Sequence, residues 1–291
     1  MMRTRHELHD LPTALLGGDP LPYAVLRPEG STDGLPVLFF LHGGGGSRDF
    51  LGQMRPLIEK CWADGTLRPA VVVTPSVERS FYMNYRDGSR CYEDAIVHEL
   101  LPVVQRGYGT SMDRASTAIC GISMGGMGGL RLAFKHPEIF GAVAALEPGI
   151  EPVLAYRDIE LQDRFYRDDS LYEEIFGSPV DESYWADNNP ATIASRDPSR
   201  LRDTAILIEC GDEDSFNLHR GAEFLHRILW DGGVRHEYHA ILGADHLGRT
   251  LGPRFEAAIA FIGRALDPLP PDGSLAGFHQ VIAGMKRRAG L

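Results

Sequence analysis

The sequence predicts an α/β fold: a mostly parallel central sheet with helices on both faces. Three observations predict it. Short apolar runs of strand length alternate with stretches of helical periodicity, the order that gives βαβ units and a parallel sheet. A glycine loop, a serine, an acidic cluster and a histidine each follow directly on one of those runs. Sites in open α/β sheets form outside the C-terminal ends of the strands, so four polar signals at four such ends fit one common edge.

The first of these runs is residues 35–41, LPVLFFL, a continuous apolar stretch suited to a buried parallel strand, with its proline near the start. It leads into His42, Gly43, Gly44, Gly45 and Gly46. Backbone N–H groups without side chains in the way can approach a developing negative charge, the role of an HGGG-type oxyanion loop. The Gly44 N–H is the expected donor, and His42 is expected to support the loop. Residues 49–64 have helical periodicity and residues 70–73 read as the next strand. The segment 80–88, SFYMNYRDG, then borders the same edge. It makes Phe81, Tyr82 and Arg86 candidate pocket residues, each with a packing or surface alternative. Residues 92–107 again read as helix.

The run 117–126, TAICGISMGG, is the most informative. An apolar strand ends in G-x-S-x-G, and a helix-compatible stretch follows to residue 135. That is the sequence form of a nucleophile elbow, a tight turn that lifts a serine hydroxyl clear of the sheet. Glycines two residues to either side leave room for the turn. On its own the pentapeptide is a common coincidence; its context carries it. Ser123 is the candidate nucleophile, and the Met124 N–H the second oxyanion donor. The strand after the elbow helix ends in Leu146, Glu147 and Pro148, which places Glu147 at the cleft as a substrate contact or as a solvated acid.

From about residue 150 to 200 the alternation stops. The stretch is rich in Asp, Glu, Tyr and Arg, with Phe165, Tyr172, Phe176, Tyr184 and Trp185 scattered through it. It reads as a cap or lid insertion with Trp185 as its aromatic pocket candidate, or as a helical excursion covering the sheet. Residues 204–210 and 235–242 read as two further strands. The first ends in Gly211, Asp212, Glu213 and Asp214, the second in Gly243, Ala244, Asp245 and His246. The chain order serine, acid, histidine is that of α/β-hydrolases. The chemistry follows: His246 takes the Ser123 proton, the acid orients the ring, and the histidine then protonates the leaving group. Asp212, Glu213 and Asp214 all qualify as the acid, and an acid there could also cap the helix near Phe216. His236 and His239 point to opposite faces of a strand, which argues against a metal pair. No metal or cofactor is expected.

A formal net charge of −11 over 291 residues argues against nucleic-acid or anionic-membrane partners. The first ten residues have no apolar signal core, no run approaches membrane-spanning length, and four cysteines without CxxC spacing read as free thiols. These features predict a cytoplasmic enzyme. Residues 1–266 form the expected hydrolase domain. Residues 267–291 are a proline-rich linker and a short basic segment that docks on a neighbouring subunit, making a homo-oligomer, or frays.

These residues resemble the esterase family of α/β-hydrolases that includes S-formylglutathione hydrolases, tributyrin and feruloyl esterases, and mycolyltransferases. The resemblance spans about residues 35–262. It is carried by LHGG at 41–44, SFY at 80–82, GISMGG at 121–126 and LRLAFKHPEIFG at 130–141. It implies that Asp214 is the acid, from the family's G-x-x-D loop, and it aligns the G-x-H motif with residues 243–246 with one residue added. Family members often carry Ser-Gly where this chain has Glu147 and Pro148. The implied activity is cleavage of a carboxylic ester or thioester through an acyl-enzyme. Acyl transfer by the same residues, or a hydrolase fold recruited for binding or for a non-hydrolytic biosynthetic step, are the alternatives.

Overall fold

The computed structural model describes residues 3–270 and 272–290; Met1, Met2, Pro271 (part of the expected linker) and Leu291 lie outside the described residues. Along the chain, β1 is Thr4–Leu11, β2 Leu21–Pro28, β3 Val37–Leu41, α1 Phe50–Ala63 and β4 Val71–Pro75. Next come α2 (Tyr92–Asp94), a π-helical segment (Ala95–Leu100), α3 (Leu101–Tyr108), β5 (Thr117–Ile122), α4 (Met124–Lys135) and β6 (Ala142–Leu146). Short helices follow: α5 (Leu161–Arg164), α6 (Asp169–Phe176), α7 (Glu182–Asn188) and α8 (Pro190–Arg196). The chain ends with β7 (Ala205–Gly211), α9 (Leu218–Asp231), β8 (Glu237–Ile241), α10 (Leu251–Leu266) and α11 (Ala276–Arg288).

The strands form one sheet in the order β1-β2-β4-β3-β5-β6-β7-β8. β2 runs antiparallel to β1 and β4, and every pairing from β4 to β8 is parallel. Period-two alternation sends successive side chains of the all-apolar central strands to opposite faces. Leu38 and Phe40 pack with Ile58 of α1 and with Phe255 and Ile259 of α10. Phe39 and Leu41 pack on the other face, in the core that includes Leu130 and Phe134 of α4 and Leu225 of α9. Fully burying each such Phe or Leu contributes roughly 1.5–3 kcal/mol. The expected mostly parallel sheet with helices on both faces is what the chain forms.

The expected helix over 92–107 is interrupted. Pro102 has no N–H to give the carbonyl four residues back, and the ladder widens to five-residue turns, as in the Leu101 N–H to Ile96 O bond. A buried cluster holds this stretch to α4. Glu93 Oε2 accepts from Arg131 Nη1 at 2.5 Å and Lys135 Nζ at 2.9 Å, and its Oε1 lies 2.7 Å from His136 Nε2. Arg131 also donates to the Tyr82 carbonyl at 2.6 Å and to Asn188 Oδ1 of α7 at 3.1 Å. Helix α4 is thus tied to the 80–88 loop and to α7.

Residues 150–200 contain no strand, as expected, and α8 packs on α4 and α9. Arg86 and Asp181, the residue capping α7, pair at 2.8 Å and join the 80–88 loop to this segment. α11 buries none of its residues.

Candidate active site

Ser123 occupies the turn between β5 and α4 with φ 57° and ψ −117°, a conformation that costs a residue with a Cβ about 1–3 kcal/mol. Surrounding structure enforces it: Ser123 N donates to Leu146 O at 2.8 Å, and Met127 N and Gly149 N donate to Ser123 O at 3.0 and 3.2 Å. The flanking glycines are obligatory. A Cβ on Gly121 would lie 2.3 Å from Gly125 O, and one on Gly125 would lie 2.4 Å from Leu41 O. The strand-turn-helix geometry read from the sequence is therefore present, with α4 beginning immediately after the serine.

The glycine loop after β3 passes alongside. A Cβ on Gly43 would touch Ser123 Cβ at 3.4 Å. His42 is fully buried; its Nδ1 lies 2.8 Å from Gly43 O, and its Nε2 accepts from Val77 N at 3.3 Å. Burial pushes this imidazole below its usual pKa, consistent with a neutral ring that braces the loop. Gly44 lines the cleft over the serine, and Met124 opens α4, where helix N–H groups have no intrahelical partner and the dipole favours negative charge.

The acid and the histidine meet. Asp214 Oδ2 lies 2.8 Å from His246 Nδ1, and Asp214 Oδ1 accepts from Phe216 N at 2.8 Å and Leu218 N at 3.2 Å. Burial pushes the Asp214 carboxyl up, but hydrogen bonds from His246 and Glu147 outweigh it and hold the group below the usual carboxylate range. Asp212 plays another part: it is exposed and accepts the Gly243 N–H at 2.7 Å, tying the two loops together. Phe216 packs edge-on against the His246 ring at 4.7 Å between centroids. Among the described residues His246 Nε2 makes no hydrogen bond, and His246 lines the same cleft as Ser123.

Ser123, Gly44, Met124 and His246 all line one cleft of about 1200 Å³. Phe50, Met54 and Leu57 of α1 and Leu251, Gly252 and Phe255 of α10 form one wall. Arg79, Phe81, Tyr166 and Arg167 form another. The Arg167 guanidinium sits 4.5 Å from the Phe81 ring and 4.9 Å from Tyr166, donates to Gly149 O at 2.5 Å and pairs with Glu151.

Of the sequence-derived pocket candidates, Phe81 lines the cleft and four do not. Tyr82 is buried and its hydroxyl donates to His42 O at 2.9 Å, so it supports the glycine loop. Arg86 is spent on its surface pair with Asp181. Trp185 packs in the core against Tyr156, because α7 lies against α6 and α8 and turns this side chain inward. Glu147 is fully buried behind the site and is neither solvated nor at the cleft. Tyr166, Arg167 and the α1–α10 wall escaped the sequence reading. Helical periodicity marked α1 as a helix, but which of its apolar residues face a groove depends on where α10 lies. Glu147, Asp214 and His246 bring ligand-type atoms within 4.8 Å of one another, of which His246 Nδ1 and Asp214 Oδ2 are paired with each other at 2.8 Å. All four cysteines are free, and among the described residues no helix is long and apolar enough to cross a membrane.

A family model described as "Putative esterase" matches residues 17–230. The esterase Rv1288 of Mycobacterium tuberculosis is 27% identical over 254 residues, covering 79% of this chain and 53% of that protein. The chain spans about half the length, or less, of the curated relatives it matches. Among solved structures, a ferulic acid esterase superposes with a TM-score of 0.74 at 22% identity, covering 91% of this chain and 100% of that one. An S-formylglutathione hydrolase from Agrobacterium tumefaciens gives 0.73 at 18% identity, with 91% and 97% covered. At such identities these two likenesses speak for the α/β-hydrolase fold. The family match covers well over half of the sequence, and the chain belongs to this esterase family.

Proposed function

We propose that this chain hydrolyses a carboxylic ester or thioester of a small molecule through an acyl-enzyme on Ser123. The observation that carries the reading is the buried Asp214–His246 pair, opening onto the same cleft as a serine held at positive φ on a strand-to-helix turn. His246 Nε2 takes the hydroxyl proton as Oγ attacks the carbonyl carbon. Asp214 holds the ring by Nδ1 and stabilises the imidazolium. The Gly44 and Met124 N–H groups receive the oxyanion, each such donor being worth about 10²–10³ in rate. His246 then protonates the leaving alcohol or thiol, and water repeats the sequence to release the acid.

On this reading residues 150–200 serve as a cap through Tyr166 and Arg167. The α1–α10 wall takes an apolar part of the substrate, and Phe81, Tyr166 and Arg167 an aromatic or polar part. The matching family and the curated relatives are described as esterases, which favours hydrolysis over acyl transfer. The test is turnover of p-nitrophenyl acetate and butyrate by wild type and Ser123→Ala. Steady release by wild type and none above background by the variant is expected. A burst followed by a stall that an added alcohol relieves would shift the reading to acyl transfer, and turnover by Ser123→Ala would overturn it.

A further inference from the structure

Behind Asp214 lies a cluster of ionisable groups that the proposed mechanism leaves unused. Glu147 ends β6 with φ 46°, a left-handed conformation that a residue with a Cβ rarely adopts. Its Oε2 accepts from Cys210 Sγ at 2.6 Å, and its Oε1 accepts from Gly211 N at 3.1 Å and from Arg254. Arg254, from α10, also donates to Glu209 Oε1 at 2.6 Å and to the Asp245 carbonyl at 3.1 Å. Glu147, Glu209, Asp214 and Arg254 are all at most 4% exposed. Three ionised carboxylates would face one buried guanidinium, leaving the cluster with more buried negative charge than Arg254 can offset. Buried charge without a partner is strongly unfavourable, and the economical remedy is a proton on one carboxyl.

We infer that Glu147 keeps that proton and donates it to Asp214, making Glu147 a positioning residue that holds the Asp214 carboxylate from the side opposite His246. The proposal rests on the reading of Ser123, His246 and Asp214 given above. The geometry assigns the proton to Glu147 because Glu147 and Asp214 share one neighbourhood with His246, a cluster that does not include Glu209, whose carboxylate is bonded to Arg254. The titration tendencies agree. Burial, then the hydrogen bond with Asp214, push Glu147 up to about 7 against the pull of Cys210 and Arg254, while Asp214 is held low. Two nearby acids pushed apart in this way divide the labour: one stays ionised for the imidazole, the other stays protonated to orient it. Oδ1 is fixed by the Phe216 and Leu218 N–H groups, so a further donor from Glu147 leaves Asp214 little freedom to rotate away from His246.

The test is isotope-edited infrared spectroscopy of the intact chain carrying ¹³C-carboxyl glutamate. A protonated-carboxyl band is expected at pH 6 that fades by pH 9, persists in Ser123→Ala and Glu209→Gln, and is absent from Glu147→Gln. In kinetics, Glu147→Ala should lower kcat by about 10–100-fold, the range for lost outer-shell partners, with KM little changed. Glu147→Gln, whose amide can still donate to Asp214, should restore most of that loss and should lack the fall in kcat/KM above about pH 7 that ionisation of Glu147 is expected to give the wild type. No protonated-glutamate band at pH 6, the same band in Glu147→Gln, or Glu147→Gln as impaired as Glu147→Ala would overturn the inference. Should Glu147→Gln not fold, Glu209→Gln decides: a band that remains supports Glu147, and one that disappears overturns it. Because the band does not depend on turnover, its absence would leave the Ser123 reading standing, and an active Ser123→Ala would sink that reading alone.

Discussion

One carboxylate, Asp214, does two jobs: its Oδ2 sits 2.8 Å from His246 Nδ1 while its Oδ1 accepts the Phe216 and Leu218 N–H groups that lead into α9. The ring is thereby referenced to a helix packed on the sheet. Replacing Asp214 by Asn keeps the shape but reverses the demand on Nδ1, because the amide can present a donor where the imidazole must donate. Turnover of p-nitrophenyl butyrate should fall about 10⁴-fold, as for the equivalent change in a serine protease. Asp212→Asn touches only an exposed tie to Gly243, whose N–H the Asn amide oxygen can still receive, and should stay within about tenfold of wild type. Steady-state kinetics on the two variants separates them.

The Glu93–Arg131 pair is a stability device. Burial alone would raise the Glu93 carboxyl, but Arg131, His136 and Lys135 overcome it and hold the group far below the usual range. A depressed folded-state value means the stabilisation is fully present above the unfolded carboxylate value near 4.3 and is lost as the pH falls through the folded one. Glu93→Gln leaves Arg131 buried without its counter-charge and should cost about 3–5 kcal/mol at pH 7. Denaturant melts at pH 7 and pH 3 check this: the gap between variant and wild type should narrow at the lower pH.

Glu147 has the opposite sign. Its folded-state value, about 7, lies above the unfolded glutamate value, so the folded state binds the extra proton between roughly pH 4.5 and 7. Stability contributed by that proton is complete below the unfolded value and falls as the pH rises through this window. Relative to wild type, Glu147→Gln should gain up to about 3 kcal/mol between pH 5 and pH 8. Urea titrations of both proteins across that range measure it, and a gap that does not grow with pH would contradict the assignment.

Most of the site was legible in the sequence because its parts are local. A tight turn needs Gly121 and Gly125, a donor loop needs bare backbone at 43–46, and an acid or histidine past a strand reaches the sheet edge wherever that strand lies. Favouring Asp214 over Asp212 as the candidate acid needed the family resemblance, since both share a loop; only in the structure is Asp214 seen buried against His246 and Asp212 exposed beside Gly243. What remained hidden depends on several segments at once. Trp185 carries the same aromatic signal whether it faces a cleft or a core, and only the packing of α7 decides. Glu147 reads as an exposed acid until Cys210, Asp214 and Arg254 converge on it from β7, the following loop and α10. The β1–β2 hairpin escaped because residues 4–11 mix His, Arg, Glu and Asp on an edge strand whose side chains are largely exposed or half-buried.

Gly252 opens α10 on the cleft, and a Cβ there would meet nothing within 4 Å. Gly252→Phe should therefore fold and fill part of the apolar wall. The expected result is a larger loss of kcat/KM for p-nitrophenyl butyrate than for acetate, by about 10-fold, since a methylene in an apolar pocket is worth about 1–3 kcal/mol. Equal losses on the two esters would place the acyl group elsewhere in the cleft.

The central claim concerns one oxygen, and covalent trapping addresses it directly. Treating the intact chain with a fluorophosphonate and mapping the adduct by mass spectrometry should place a single modification on Ser123, with labelling abolished in Ser123→Ala and much slowed in Asp214→Asn. Labelling at another residue, or none on a folded wild-type protein, would contradict the account.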